Sequence, residues 1–214
     1  MNNSIHFCPL FCILIMLLCG QAMSAQEKAF TAYGDQVWLH DDGTWTYGDD
    51  NRDSFDINET LFVKSDEADF MYESQVFNLG IWMDTLLWEV NDDTINEFAE
   101  YEWYCPSADL YGMLISEDVE FPLESFPIIA IENAQGAIPD IRIIFKEIRT
   151  VNDTKVLYMR LRGTYEQIPV QYEGYYFSNP IGSAQLIIYS SEQLMDKHSD
   201  VVKRFLNGIV ELPR

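Results

Sequence analysis

Residues 156–189 read VLYMRLRGTYEQIPVQYEGYYFSNPIGSAQLIIY, and this stretch decides the fold. It contains three runs in which apolar side chains alternate with polar ones: Leu157 to Arg162, Gln167 to Glu173 and Ala184 to Ile188. A fourth run of the same kind, Ile141 to Lys146, comes shortly before them. Alternation with short connections is typical of an antiparallel β-sheet that places one face on a core.

Helical patterns border this block of strands on both sides. The first predicted helix runs from Ser125, its N-cap, to Gln135, and Gly136 ends it. The second begins at Ser190, which forms a capping box with Gln193. Its apolar stripe consists of Leu194, His198, Val201, Val202, Phe205, Leu206 and Ile209.

Further strand-like segments lie upstream, at 61–64, 75–90, 97–105 and 110–117. The segment 97–105 fits a helix as well as a strand, so both assignments stay open there. With the later runs, these segments predict an α+β domain built on an antiparallel sheet of about six strands flanked by helices.

A separate β-hairpin is predicted near the N-terminus. Residues 36–47 read QVWLHDDGTWTY, in which Asp42-Gly43 joins two alternating runs. Asp-Gly is a strong hairpin signal because both turn positions tolerate positive φ. We therefore divide the chain into a hairpin segment (26–48), an acidic linker (49–58) and a main α+β domain (59–214).

The first 25 residues are typical of a secretory signal peptide. They contain no Asp, Glu, Lys or Arg, and an apolar core, Phe7 to Cys19, precedes the small residues of AMSA ending at Ala25. The apolar run is shorter than the ~20 residues of a membrane-spanning helix. We expect an exported, periplasmic or secreted protein without a transmembrane segment. The alternative is a lipid anchor on Cys19, although Leu18 is larger than the residue that usually precedes such a cysteine.

Charge and cysteine content narrow the class of protein. The chain has 13 Lys and Arg against 35 Asp and Glu, a net charge of −22. Such a surface repels phosphate backbones and anionic lipids, which disfavours nucleic-acid binding. Cys105 is the one cysteine outside the predicted signal, so it cannot form an intramolecular disulfide, and we expect it to be buried. The sequence predicts no cofactor and a monomer or weak oligomer.

The C-terminal third resembles the PsbP-like family of α/β/α sandwiches. The residues that carry the likeness are Gly174-Tyr175-Tyr176-Phe177, Gly182-Ser183-Ala184-Gln185 and Phe205-Leu206-Asn207-Gly208. The resemblance implies an antiparallel sheet with helices on both sides, and a binding or assembly factor in place of an enzyme. It transfers no functional residue, and the DGTW hairpin is not part of the family pattern.

Three kinds of site are weighed from the residues themselves. Asp49, Asn51 and Asp53 have the spacing of a Ca²⁺ loop, but Ser54 replaces its glycine, and a solvated linker is the simpler interpretation. The abundant carboxylates leave a hydrolase open as the alternative function, although nothing marks out one pair. Aromatic residues on strands can stack on sugars or clamp a peptide from a protein or envelope partner. The candidate ligand-binding residues are Trp103, Tyr104, Tyr111, Tyr172, Tyr175 and Tyr176.

Overall fold

A computed structural model describes residues 27–48, 55–91 and 96–213. The predicted signal peptide with Cys19, and the candidate Ca²⁺ ligands Asp49, Asn51 and Asp53, lie outside these residues. In the part of the chain that is described, no helix has the length and apolar character needed to cross a membrane.

The N-terminal segment forms a three-stranded antiparallel sheet, β1 (Glu27–Phe30), β2 (Gln36–Leu39) and β3 (Trp45–Tyr47). The predicted hairpin is confirmed: Gly43 has φ +82° and the Asp42 carboxylate accepts the Thr44 N–H at 2.9 Å. The strand β1 was not predicted from the sequence.

The central sheet has eight strands, two more than the sequence predicts. They are β4 (Ile57–Phe62), β7 (Glu89–Val90), β8 (Tyr101–Cys105), β9 (Leu110–Glu117), β10 (Arg142–Val151), β11 (Thr154–Tyr165), β12 (Ile168–Asn179) and β13 (Gly182–Ser191). Their order is β4-β10-β11-β12-β13-β9-β8-β7. All neighbours are antiparallel except β4, which pairs parallel to β10, so the expectation of a purely antiparallel sheet is corrected. The strand β4 begins at Ile57, within the segment predicted as linker.

The strand β8 decides between the two assignments that the sequence left open for 97–105. Trp103 and Cys105 alternate into the core, whereas Phe98 is exposed. A helix through this segment would require Phe98 on its buried stripe, so the strand is the stable choice.

Helices cover both faces of the sheet. Helix α1 (Phe126–Gln135) packs with Leu157, Met159 and Tyr176, and this side is called the α1 face. Helices α2 (Glu192–Lys197) and α3 (Ser199–Leu206) cover the other side, the α3 face. A second sheet of β5 (Phe70–Glu73), β6 (Leu79–Met83) and β14 (Ile209–Glu211) packs on the α3 face too.

The single C-terminal helix expected from the sequence is two helices, interrupted at His198. The N-cap is Ser191, whose hydroxyl accepts the Leu194 N–H at 3.4 Å, and not Ser190. The Ser190 hydroxyl instead donates to the Asp109 carbonyl at 2.8 Å. Ile209, expected on the apolar stripe of the helix, lies in β14. Ser125 occupies the N-cap position of α1, but its side chain makes no capping hydrogen bond.

Candidate functional site

A row of four tyrosines crosses the α1 face. Strand register places Tyr104 opposite Tyr111, Tyr111 opposite Tyr189 and Tyr189 opposite Tyr172. The ring centroids of these successive pairs are 4.9, 5.6 and 5.0 Å apart. Directly opposed side chains on adjacent strands share one face, so four strands that are distant in sequence build a continuous aromatic surface. We call Tyr104, Tyr111, Tyr189 and Tyr172 the tyrosine row.

One end of the tyrosine row is held by a carboxylate. The hydroxyls of Tyr104 and Tyr111 each donate to Asp109 Oδ1 at 3.2 Å. Asp109 reaches this position because the turn before β9 places it at φ 54°. Desolvation, followed by the nearby charge of Asp109, raises the pKa of both phenols, so they remain neutral donors at physiological pH.

A cavity of about 190 Å³ opens beside the other end of the row, between the C-terminal half of α1 and the sheet. Its apolar walls come from both layers, and Tyr172 lines it together with the polar side chains Asn96, Asn133 and Gln185. The remaining lining residues are Met113, Ile115, Ala130, Ala134, Ala137, Ile138, Leu161, Tyr176 and Ile187. We call this space the α1 groove.

Two buried polar groups that line the α1 groove make no side-chain hydrogen bond within the described residues. Gln185 is 4% exposed and Tyr176 is 2% exposed, and both belong to the groove lining. Burial raises the pKa of the Tyr176 phenol, which keeps it neutral. The fully enclosed side-chain polar atoms without a hydrogen-bond partner in the described residues are Trp103 Nε1, Ser116 Oγ, Arg160 Nε and Arg204 Nε. The Gln185 amide and the Tyr176 hydroxyl are not among them, so they are not sealed off from the open space of the groove. The groove therefore offers hydrogen bonds to whatever occupies it.

Glycine at position 174 shapes the floor of this site. A Cβ at Gly174 would lie 3.0 Å from the Tyr176 ring. Because glycine has no side chain, the Tyr176 ring can lie directly over the backbone of Gly174. The phenol of Tyr176 then forms part of the groove wall.

The six aromatic residues predicted from the sequence are divided between the two faces. Tyr104, Tyr111 and Tyr172 are brought together in the tyrosine row, and Tyr176 lines the adjoining groove. Trp103 and Tyr175 are buried on the α3 face, 1% exposed each, so their predicted role in ligand contact is replaced by one in packing. The reason is the period of two along a strand, which turns neighbouring residues to opposite faces.

Sequence reasoning missed Tyr189 and Gln185. Both lie on β13, where the sequence pattern drew attention to the apolar residues Leu186 and Ile188. The signal that could have found them is the two-residue spacing of Gln185, Ile187 and Tyr189, which places all three on the second face of the same strand.

A polar cluster occupies the α3 face of β10, β11 and β12. Arg149 Nε donates to Glu147 Oε1 at 2.6 Å, and its guanidinium carbon lies 3.5 Å from the centre of the Tyr158 ring. The Tyr158 hydroxyl donates to Glu173, whose other oxygen accepts from Gln171 at 2.8 Å. Each of these groups has partners within the protein, so the cluster is satisfied internally.

The metal-ligating residue types, His, Cys, Asp and Glu, are the remaining candidates for chemistry in the described segments. Across 27–48, 55–91 and 96–213, no three His, Cys, Asp or Glu side chains are placed to hold a metal ion. His40 Nε2 lies 3.1 Å from Thr46 Oγ1 on the N-terminal hairpin, and Cys105 is buried as expected.

No protein-family model and no curated protein matches this chain. Among solved structures, it is similar to a protein from Bacteroides thetaiotaomicron VPI-5482, with 8% identity and a TM-score of 0.45 over 69% of this chain and 50% of that one. It is similar to cyanobacterial PsbP (CyanoP) from Synechocystis sp. PCC 6803, with 12% identity and a TM-score of 0.45 over 66% of this chain and 91% of that one. It is also similar to the protein of unknown function PA94 from Pseudomonas aeruginosa, with 10% identity and a TM-score of 0.43 over 68% and 98%.

A PsbP protein is among these structures, and the PsbP-like resemblance stays a prediction. All three TM-scores are below 0.5, so the likeness carries no information about function. Among the described residues, the tyrosine row and the α1 groove form the candidate site.

Proposed function

We propose that this chain is an exported, non-catalytic binding domain, and that it contacts a protein or envelope component through the tyrosine row and the α1 groove. The observation that carries the proposal is the pair of polar groups in the groove wall, the Gln185 amide and the Tyr176 hydroxyl, which make no hydrogen bond within the described residues and are open to the groove. Export rests on the sequence of the first 25 residues.

The size of the groove suits one side chain or one small ring. A cavity of about 150 Å³ lined by apolar residues can hold benzene, and the α1 groove measures about 190 Å³. A ligand group with an apolar body would contact Met113, Ile187 and Ala134, and its polar tip would meet the buried amide and hydroxyl. The adjacent tyrosine rings extend the contact surface, and tyrosines are common anchors in binding interfaces.

The chemistry of the lining favours binding over hydrolysis, the alternative function. Among the described residues that line the groove, the polar members are amides and phenols. Burial raises the pKa of Tyr172, so this phenol does not act as a base near neutral pH. Among the carboxylates of the described residues, the four with a resolved pKa shift, Asp42, Glu67, Asp69 and Asp140, are exposed, and hydrogen bonds that they accept lower the pKa of each. A glycosidase-type acid requires a raised pKa.

Site-specific photo-crosslinking in the native host tests this proposal. A photoreactive phenylalanine analogue at Asn133, an exposed residue of the groove lining, should form a discrete adduct with a partner. The same analogue at Leu86, 93% exposed and outside the groove lining, should not form that adduct.

A pair of variants on α1 makes the result specific. Ala134→Phe fills the groove, whereas Gln135→Phe adds the same ring to an exposed position of the same helix. We expect the Asn133 adduct to disappear in the first background and to persist in the second. Equal adducts in both backgrounds would show that the groove is not the contact site.

A further inference from the structure

The negative charge of this protein is concentrated in one segment of the chain. Between Lys64 and Arg142 the sequence contains 18 Asp and Glu residues and no Lys, Arg or His. This segment forms β5 to β9 and α1, which supply one wall of the groove and half of the tyrosine row. Within this segment, Asp109 lies at one end of the tyrosine row and Glu132 on the helix that covers the groove, whereas Glu73 of β5 belongs to the second sheet on the α3 face.

The basic residues lie outside this segment, and five of them form ion pairs within the described residues. Lys146 contacts Asp35 at 2.6 Å, Arg149 contacts Glu147 at 2.6 Å and Arg162 contacts Glu192 at 2.8 Å. Around the candidate site, Asp109 at the end of the row and Glu132 on α1 are exposed, and neither is in an ion pair within the described residues. A cation approaching this side of the molecule meets an attractive field, and an anion meets a repulsive one.

We infer that the α1 groove takes an arginine side chain from a cationic segment of a protein partner. This inference rests on the proposed function and names the chemistry of its ligand. The apolar stem of an arginine would pack on Met113, Ile187 and Ala134, as long basic side chains do on apolar surfaces. Its guanidinium would donate to the Gln185 amide oxygen and the Tyr176 phenol oxygen, two acceptors that have no other partner in the described part of the chain.

The tyrosine row complements the same ligand. Guanidinium groups stack on the faces of tyrosine rings, and each contact contributes about 0.5–2 kcal/mol. Tyr172 lines the groove and Tyr189 stacks on it at 5.0 Å, so further basic residues of the segment would lie along the row toward Asp109. Arginine is favoured over lysine because its planar, weakly hydrated group tolerates partial burial and stacking.

The test compares four fluorescein-labelled peptides of equal length, built from repeats of X-Ala-Gly in which X is Arg, Lys, Gln or Glu. Fluorescence anisotropy measures the binding of each to the purified chain at fixed, moderate salt. We expect the Arg peptide to bind about tenfold more tightly than the Gln peptide, with the Lys peptide between them and the Glu peptide weakest.

Matched variants separate the site from general attraction to an acidic surface. Tyr176→Phe removes one acceptor and keeps the ring, and Gln185→Leu removes the other, so each should weaken the Arg peptide about fivefold and leave the Gln peptide unchanged. Asp109→Asn should weaken the Arg peptide as well. Asp66→Asn removes the same charge from an exposed turn between β4 and β5, and should change binding less than about twofold.

Two results would overturn the inference in different ways. If the Gln peptide binds as tightly as the Arg peptide and Ala134→Phe weakens both, the groove binds a peptide but does not select arginine, and the proposed function stands. If Asp66→Asn weakens the Arg peptide as much as Asp109→Asn and Ala134→Phe has no effect, the peptide binds the acidic surface without a site. The arginine inference is then wrong, and the photo-crosslinking result alone decides the proposed function.

Discussion

The ring of Tyr172 on β12 stacks on the ring of Tyr189 on β13, with centroids 5.0 Å apart and planes inclined by 15°. The two residues are directly opposite each other in the antiparallel register. Tyr189 also stacks on Tyr111, and the Tyr104 ring lies beside Tyr111 at an angle of 32°, so the α1 face carries an ordered aromatic surface beside a groove. Such pairs contribute about 0.5–1.5 kcal/mol beyond the area they bury.

The environment of Tyr189 predicts a pH-dependent stability at alkaline pH. Burial raises the pKa of Tyr189 to about 12, above the unfolded value of about 10. The neutral phenol is therefore favoured in the folded state, and its stabilising contribution is complete below about pH 10 and is lost as the pH rises toward about 12. Chemical denaturation at several pH values should show a smaller loss of stability across this range for Tyr189→Phe than for wild type. Identical pH profiles would contradict the shifted pKa.

The Arg149–Glu147 pair predicts a large cost for removing its cation. Both side chains are largely buried, and Arg149 also donates to the Tyr175 hydroxyl at 3.3 Å. Arg149→Met would leave the Glu147 charge without its counter-ion, and we expect the free energy of unfolding to fall by about 3 kcal/mol. Urea denaturation measures the change, with the exposed Arg142→Met as control, for which about 0.5 kcal/mol or less is expected. A similar small effect of both variants would show that the pair is not stabilising.

Two glycines should respond in opposite directions to replacement by alanine. A Cβ at Gly208 would lie 2.0 Å from the Trp82 carbonyl oxygen, where α3 turns into β14. The backbone must shift to relieve this contact, so Gly208→Ala should destabilise the protein by about 2 kcal/mol.

Gly136 ends α1 at φ −59° with no atom within 4 Å of its Cβ position. Gly136→Ala should stabilise by about 0.5 kcal/mol, since alanine lowers the entropy of the unfolded chain. Thermal melts of the two variants against wild type decide the signs.

The N-terminal sequence predicts the mature form of the protein. Expression of the full chain in an export-competent host should yield a product that begins at Gln26, because cleavage is expected after Ala25. Intact-mass spectrometry of the exported protein measures this directly. A product that begins at Cys19 and carries a lipid mass would favour the lipoprotein alternative. Recovery of the uncleaved chain in the cytoplasm would contradict both.

Much of the central sheet could be predicted from short stretches of sequence. The runs around Ile143, Leu161, Tyr172 and Leu186 are strands because their alternation matches the pleat, and Asn152 and Asp153 adopt φ 47° and 61° in the turn between two of them. The parallel pairing of β4 with β10 could not be predicted in this way. A local sequence pattern identifies a strand but does not show which distant strand it pairs with. The interruption at His198 was missed because helical spacing persists across it.

The candidate site was predicted in part. Tyr104, Tyr111 and Tyr172 were identified as strand aromatics, and the register brings them onto one face. The structure buries Trp103 and Tyr175 in the core instead. Each directly precedes a residue of the candidate site, Tyr104 and Tyr176 respectively. Which face of a strand lies open depends on what packs over it, and in this sheet α1 covers one part of the face and leaves the tyrosine row beside it.

The amino-acid sequence by itself determined the strand content of the C-terminal third, the DGTW hairpin and the strongly acidic character, since alternation, turn chemistry and charge are properties of neighbouring residues. The tertiary structure alone decided that four tyrosines from four strands lie in a row. It also decided that Gln185 and Tyr176 line the groove under α1. Their polar groups make no hydrogen bond with any other described residue. Both outcomes depend on strand register and helix packing between segments tens of residues apart, where a shift of a single residue would turn every one of these side chains to the opposite face.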